Sequence, residues 1–482
     1  MYITRRSITR RGAVASLPFA FVSALAAVIV PEGSARASGF LTDQFGSDQG
    51  QPALANTYSV YFNPGALAGM HGTEITVDGV LYARSLDYNR SASALSPSGG
   101  VAQGNPTYTD ANTGQATLFN VLAAPFAGFA TDFGGSKFRL GLAAYVPFGG
   151  AVSWGKNSAY SNSTIAPGAY DGPQRWSTIS ASTSSIYSTL AGAYRFDKAR
   201  LGIGVSFSVI DTTLADTRAR NADGSDDVTV NGQPAEGRSY FNVSGVQVGA
   251  AAGVYWDATA DGALRIGASY TSQPNFGAMR LSGNFALTAT GPNPTPADLL
   301  QQYPDIIRLG AAWRVRPDVE VRLDGNWQRW SHFNSQCIVA PGASCPTDST
   351  GVALASATGV KLDLPRDFKD SYKARLGVGY WVTPETELFA SGAWESAPVG
   401  KDHEDPLIFD SMRVEGTLGA RHAFSKHVYA SLSYTYVYLV PLTVNDSAYN
   451  NPNNPAPSLS PSTNGSYSSE IYIFDAAVSY RF

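Results

Sequence analysis

The sequence predicts an all-β fold: a 14-stranded antiparallel transmembrane β-barrel with a small N-terminal domain plugging the lumen. Three observations lead to it. The chain opens with an export signal. The remainder is built of alternating segments whose connections are short and long by turns. The final strand ends in phenylalanine.

The export signal comes first. Arg5, Arg6, Arg10 and Arg11 form a positive n-region, and Ala13 to Val30 form an apolar stretch. Ala35-Arg36-Ala37 is an A-x-A cleavage site, so residues 1–37 read as a signal peptide and the mature chain starts near Ser38. No other run is apolar for the length a membrane helix needs, which excludes a helical membrane protein. The chain has 482 residues and a net charge of −4, with only 15% charged residues. Length alone would allow two or three soluble domains, but 48 glycines and 12% aromatic residues favour a large barrel. The balanced charge and the lack of a basic tract give no reason to expect nucleic acid as a partner.

The strands are expected near 73–89, 115–133, 137–153, 174–197, 199–220, 238–258, 262–283, 300–316, 318–334, 363–383, 385–397, 408–424, 426–441 and 468–482. Tight turns such as Gly134-Gly135-Ser136, Asp197-Lys198 and Arg316-Pro317-Asp318 alternate with long loops near 90–114, 154–173, 221–237, 284–299, 335–362, 398–407 and 442–467. That regularity fits short periplasmic turns and long outer loops. Side chains agree. Leu201, Ile203, Val205, Phe207 and Val209 oppose Gly202, Gly204, Ser206 and Ser208; Val319, Val321, Leu323 and Trp327 oppose Glu320, Arg322, Asp324, Asn326 and Gln328. Period two gives one face to lipid and one to the lumen. Tyr472, Phe474, Ala476, Val478, Tyr480 and Phe482 share the lipid face, and a terminal Phe is the signal read by the barrel assembly machinery.

Backbone amides left unpaired in lipid cost several kcal/mol each, so the first and last strands must pair. A barrel of this size leaves a lumen that needs filling. Residues 38–72, rich in small residues and weak in alternation, are expected to fold into it, leaving 73–482 as the barrel.

Several motifs carry a family resemblance. Ser38-Gly39-Phe40-Leu41 opens the mature chain, and Tyr61-Phe62-Asn63-Pro64-Gly65-Ala66-Leu67 follows in the plug. Tyr145-Val146-Pro147-Phe148-Gly149, Asn326-Trp327-Gln328-Arg329-Trp330-Ser331 and Pro365-Arg366-Asp367-Phe368-Lys369-Asp370-Ser371-Tyr372 lie in the barrel. In order and spacing these resemble the FadL/TodX family of outer-membrane transporters for long-chain fatty acids and aromatic hydrocarbons. Gly65 stands where the family's Asn-Pro-Ala hatch motif has Ala.

The resemblance implies a 14-stranded barrel with an N-terminal hatch in a Gram-negative outer membrane. It implies passive uptake of a hydrophobic ligand: capture by outer loops, transfer to a luminal pocket, and sideways exit through a kinked third strand. On that reading Pro147, Phe148, Gly149 and Gly150 form the lateral opening, since Pro cannot donate to a ladder and Gly marks a bulge. Asn63, Pro64 and Gly65 shape the hatch. Phe40 is expected at the inner pocket, and Arg322 or Arg375 is expected to hold a ligand carboxylate. Arg139, Arg308, Lys373, Arg413, Arg421, Glu320, Asp324 and Glu415 complete the luminal charges expected from strand phase.

Cys337 and Cys345 lie close together in an exported chain and predict a disulfide. No cofactor, metal site or catalytic motif is expected; the five histidines are scattered, and Asp402-His403-Glu404-Asp405 reads as a solvated charged cluster in an outer loop. Expected partners are the ligand, outer-membrane lipid and lipopolysaccharide, with the family suggesting a monomer. A non-transporting surface receptor or adhesin, or a general porin, is the alternative function for the same barrel.

Overall fold

The structure is a computed structural model that describes residues 44–98, 106–221, 223–288, 294–449 and 460–482. The expected signal peptide (1–37) and Phe40 lie outside the described residues.

β1 (Thr73–Arg90), β2 (Gly114–Thr131), β3 (Phe138–Ser153), β4 (Ser180–Phe196) and β5 (Leu201–Ala219) are the first five wall strands. β6 (Thr229–Val230) and β7 (Gln233–Pro234) form a small ribbon in the next loop, and β8 (Arg238–Asp257) is the sixth wall strand. Each of the following four is broken in two: β9 (Leu264–Thr271) with β10 (Met279–Leu287), β11 (Thr295–Gln301) with β12 (Ile306–Arg316), β13 (Val319–Gln328) with β14 (Ser335–Val339), and β15 (Val360–Pro365) with β16 (Ser371–Thr383). β17 (Thr386–Glu395), β18 (Arg413–Ala423), β19 (Val428–Val444) and β20 (Gly465–Arg481) complete fourteen wall strands, all paired antiparallel.

The wall closes. β20 pairs with β1 from Glu74↔Arg481 to Arg90↔Gly465, and the Phe482 amide donates to the Thr73 carbonyl at 2.9 Å. Closure removes the open edge that lipid would not tolerate. The outward row is apolar: Val205, Leu323, Leu432 and Phe474 are exposed, while Ser206, Ser208, Arg322 and Ser433 beside them are buried. A continuous apolar girdle of this kind is stable only against hydrocarbon.

The predicted strand count and phase hold, but two expectations need correction. The seventh to tenth strands are not continuous. Their breaks are register neighbours, because Thr271 faces Ile306, Ile306 faces Gln328, and Gln328 faces Ser371. Pro274, Pro304 and Pro365 lie at or beside three of these breaks, where a missing N–H ends the ladder. The fourth break is a 3₁₀ turn at Trp330–His332. The second correction is the Asp402–Asp405 cluster. His403, Glu404 and Asp405 are buried rather than solvated, because this loop folds inward over arginines of the lumen. Asp405 pairs with the fully buried Arg366 at 2.6 Å.

Candidate ligand-binding site

The third strand is bent where its proline and glycines sit. A strand with one face in lipid alternates in burial, yet seven successive residues of β3, Ala143 to Gly149, are buried. Both faces are therefore covered, which requires the strand to lean inward. The pairing agrees. β2 and β3 are matched only from Thr131↔Leu140 to Phe126↔Tyr145. Beyond that, β2 pairs with β1 alone, while β3 continues along β4 across a register shift between Tyr145 and Phe148. The two separated stretches still meet at their far ends, through the Asn120 side chain on the Ala151 carbonyl (2.5 Å) and the Gly155 amide on the Thr117 carbonyl (2.9 Å).

Next to the bend lies a cavity of about 120 Å³. Gly150, Ala151 and Val152 of β3 form part of its wall, with Phe241, Leu299 and Ile338. The strand breaks supply its aromatic side: Tyr303, Trp330 and Phe333 project inward from the interrupted segments. Phe148 stacks on Tyr303 at 4.6 Å between ring centroids, so the kink and the cavity share a wall. The polar lining comes from Arg84, Ser182, Thr183, Asp216, Arg218, Gln301 and Gln336. An engineered apolar cavity of about 150 Å³ holds benzene, so this volume suits a small aromatic ring or part of an alkyl chain.

Beneath the cavity sits the N-terminal segment. Its 3₁₀ helix Pro64–Gly69 begins at Asn63, whose side chain accepts from the Gly65 amide at 3.0 Å. The Asn63 amide nitrogen also donates to the carbonyls of Pro52 and of wall residue Val254, each at 2.8 Å. One side chain thus caps the turn, ties the segment to itself and fixes it to the wall. Gly65 meets the wall directly: a Cβ there would lie 2.4 Å from the Gly253 carbonyl oxygen. Phe45, Tyr58, Tyr61 and Phe62 pack with Phe126 and Tyr145 in one aromatic cluster under the kink.

A family model described as outer membrane protein transport protein (OMPP1/FadL/TodX) matches residues 26–482. The chain belongs to the OMPP1/FadL/TodX family. Solved structures agree on the fold. A Pseudomonas aeruginosa FadL homologue superposes with a TM-score of 0.70 at 15% identity, covering 94% of this chain and 99% of that one. The P. putida toluene transporter TodX gives 0.62 at 14% identity over 93% and 99%. The Ralstonia pickettii toluene transporter TbuX gives 0.57 at 16% identity over 92% and 99%. No curated protein matches the sequence. The protein is thus an outer-membrane barrel with the fold of the FadL/TodX hydrophobic-substrate transporters, and its family is one of channels rather than enzymes.

In this family member the arginines singled out from the sequence have other work. Arg322 is buried against Asp48 of the N-terminal segment, Glu320 (2.8 Å) and Glu387 (2.5 Å). Arg375 donates to the carbonyls of Ser47 (3.1 Å) and Gly50 (2.8 Å) and pairs with Asp324 (2.8 Å). Neither lines the cavity. Both instead fasten the segment to the wall, helped by Arg421 on Gln49 (3.0 Å) and Arg139 on the Met70 carbonyl (2.9 Å). Arg308 lies over the Tyr61 ring at 4.4 Å. The residues that strand phase missed are Arg84, Arg218 and the aromatic trio at the breaks, whose inward direction depends on the interruptions. Cys337 and Cys345 form the expected disulfide.

Above the cavity the inward loop carries buried acids. Burial, and then the neighbouring Asp410 charge, push the Glu404 carboxyl well above its usual range. A raised folded value means the fold prefers protonated Glu404. Its stabilising effect is complete below about pH 4 and is lost as pH rises through the folded value. Glu404→Gln, which can still accept from the Asp410 amide (3.3 Å in the wild type), is expected to be neutral near pH 4 and to be increasingly stabilising as pH rises. Thermal unfolding in detergent across that range checks this; parallel pH curves would refute it.

Proposed function

We propose that the protein mediates passive uptake of hydrophobic small molecules, long-chain fatty acids or hydrocarbons, which leave the lumen sideways at the β3 kink. The observation that carries this reading is the shared wall. The cavity is lined by Gly150, Ala151 and Val152, the stretch of β3 that has no partner on β2. A ligand in the cavity therefore lies against the one stretch where β2–β3 pairing is missing. Outer loops would deliver the ligand, as the family resemblance implies, and movement of the N-terminal segment would let it pass. No energy source enters, because an apolar solute runs downhill from water to lipid.

Uptake by intact cells tests it. Cells expressing wild-type protein should accumulate a labelled hydrocarbon or fatty acid faster than cells lacking it. Gly149→Trp with Gly150→Trp, which fills the kink, should lower the rate on the order of tenfold, equivalent to about 1.4 kcal/mol of added barrier. Unchanged uptake in a correctly assembled variant would refute the sideways exit and favour a surface receptor.

A further inference from the structure

We propose that Asp78 and Asp475 bind a hard divalent cation, calcium in preference, which pins the N-terminal segment to the wall where the barrel closes. Both carboxylates face the lumen on the β1–β20 seam. Asp475 is opposite Val80, and Asp78 stands two residues from Val80 on β1. That makes the two acids diagonal neighbours on one face of the pair, within electrostatic reach of each other. They are 1% and 2% exposed. Asp78 accepts from the Gly46 amide at 2.8 Å and has the Tyr58 hydroxyl beside it, yet its Oδ1 has no partner among the described residues. Asp475 is barer. Neither of its oxygens is hydrogen-bonded among the described residues, although the Gly46 and Ser47 amides pass close by.

No cationic side chain answers these two charges. Among the described residues neither acid makes an ion pair, whereas other inward acids around the segment do. Glu74 has Arg481 at 2.6 Å, Asp324 has Arg375 at 2.8 Å, and Glu387 has Arg421 at 2.8 Å. Adjoining buried carboxylates without a counter-charge are costly. A separate group points to what relieves them. Ser433 lies directly across from Asp475 on β19, faces the lumen at 4% exposure, and leaves its hydroxyl without a partner among the described residues. The free atoms are therefore all oxygens, contributed by β1, β19 and β20. Such a set, with two negative charges, suits a hard dication. Calcium tolerates irregular oxygen geometry, while magnesium demands a near-ideal octahedron and soft metals prefer sulfur. Further along the seam the wall is already satisfied: Thr76 and Ser479 share a hydrogen bond at 2.7 Å, and Thr57 of the segment donates to Thr76 at 2.7 Å. Because Gly46 and Ser47 cover the acids, filling the site and docking the segment are linked.

Calcium titration of the purified full chain in nanodiscs of zwitterionic lipid, after chelation with EGTA, tests the site. Wild type should bind one calcium ion per chain with a dissociation constant of about 0.1–1 mM, the range of weak two-carboxylate sites in exported modules. Calcium should also raise the unfolding midpoint and slow chymotrypsin cleavage at Phe45, which reports docking of the segment. Asp475→Asn should weaken binding at least about tenfold and abolish both calcium effects. Ser433→Ala should fold as wild type and weaken binding several-fold. A wild type that ignores calcium, or a calcium response that Asp475→Asn leaves intact, would overturn the site; a midpoint that follows pH but no cation would assign the pair a shared proton instead. Should Asp475→Asn fail to fold, Ser433→Ala decides, and unchanged calcium affinity in it would overturn the proposal. None of these outcomes bears on the uptake reading, which rests on the β3 kink.

Discussion

Arg322→Met is expected to destabilise the folded barrel by about 3–5 kcal/mol and to release the N-terminal segment from the wall. The guanidinium is nearly inaccessible and serves three carboxylates at once, Asp48, Glu320 and Glu387. Their fates on its removal differ. Glu320 keeps Arg314 at 3.2 Å and also Arg265, and Glu387 keeps Arg421 at 2.8 Å. Asp48 has only 1% of its side chain exposed and loses its ion pair. A charge stranded in the lumen wall costs far more than a surface pair is worth. Urea unfolding in detergent measures the loss, and chymotrypsin cleavage at the segment's aromatic residues, Phe45, Tyr58, Tyr61 and Phe62, reports release. Adding Asp48→Asn to Arg322→Met should recover part of the stability, since the stranded charge is then gone. A variant with wild-type stability and a defect confined to binding an acid would instead return Arg322 to the ligand role that strand phase suggested.

Gly65→Val should turn a closed barrel into an ion-conducting one. Its Cβ would fall 2.4 Å from the Gly253 carbonyl oxygen and 2.8 Å from the Val254 amide nitrogen, both wall backbone that cannot swing aside. The 3₁₀ helix Pro64–Gly69 must then lift from β8, breaking the Asn63 contact with the Val254 carbonyl. Overpacking of this sort costs about 1–3 kcal/mol, small beside the closed wall and concentrated on the segment. Planar-bilayer recordings should show discrete conductance steps in the variant and none in the wild type. Steps of equal size in both would mean that the segment does not seal the lumen, and the general-porin alternative would gain. The glycine also explains itself here: where the family motif carries alanine, this chain brings backbone against backbone.

Much of the barrel was legible because a strand between lipid and a polar lumen must alternate. Val205 against Ser206 and Leu323 against Arg322 are read correctly from period two alone. The turns are legible too, since Gly, Pro and Asp concentrate where the chain reverses. Pro147, Gly149 and Gly150 marked the β3 bend, and the unpaired stretch of β3 begins there. Pro274, Pro304 and Pro365 carry the same signal within three later strands, but alternation continues on both sides of each and hides the break.

What the sequence by itself determined is the membrane-spanning β architecture and the strand number and phase. Only the tertiary structure decided what the inward residues meet. Arg322 reaches Asp48 across 274 positions of sequence, and Arg84 meets the Phe409 carbonyl across 325. Alternation fixes a direction relative to the strand, a local property of the backbone. A partner depends on which other strand, loop or segment closure brings to the same level of the lumen. For the same reason the Asp402–Asp405 loop looked solvated and is buried. Its charge pattern is local, but the arginines that draw it inward lie on strands and loops elsewhere in the chain.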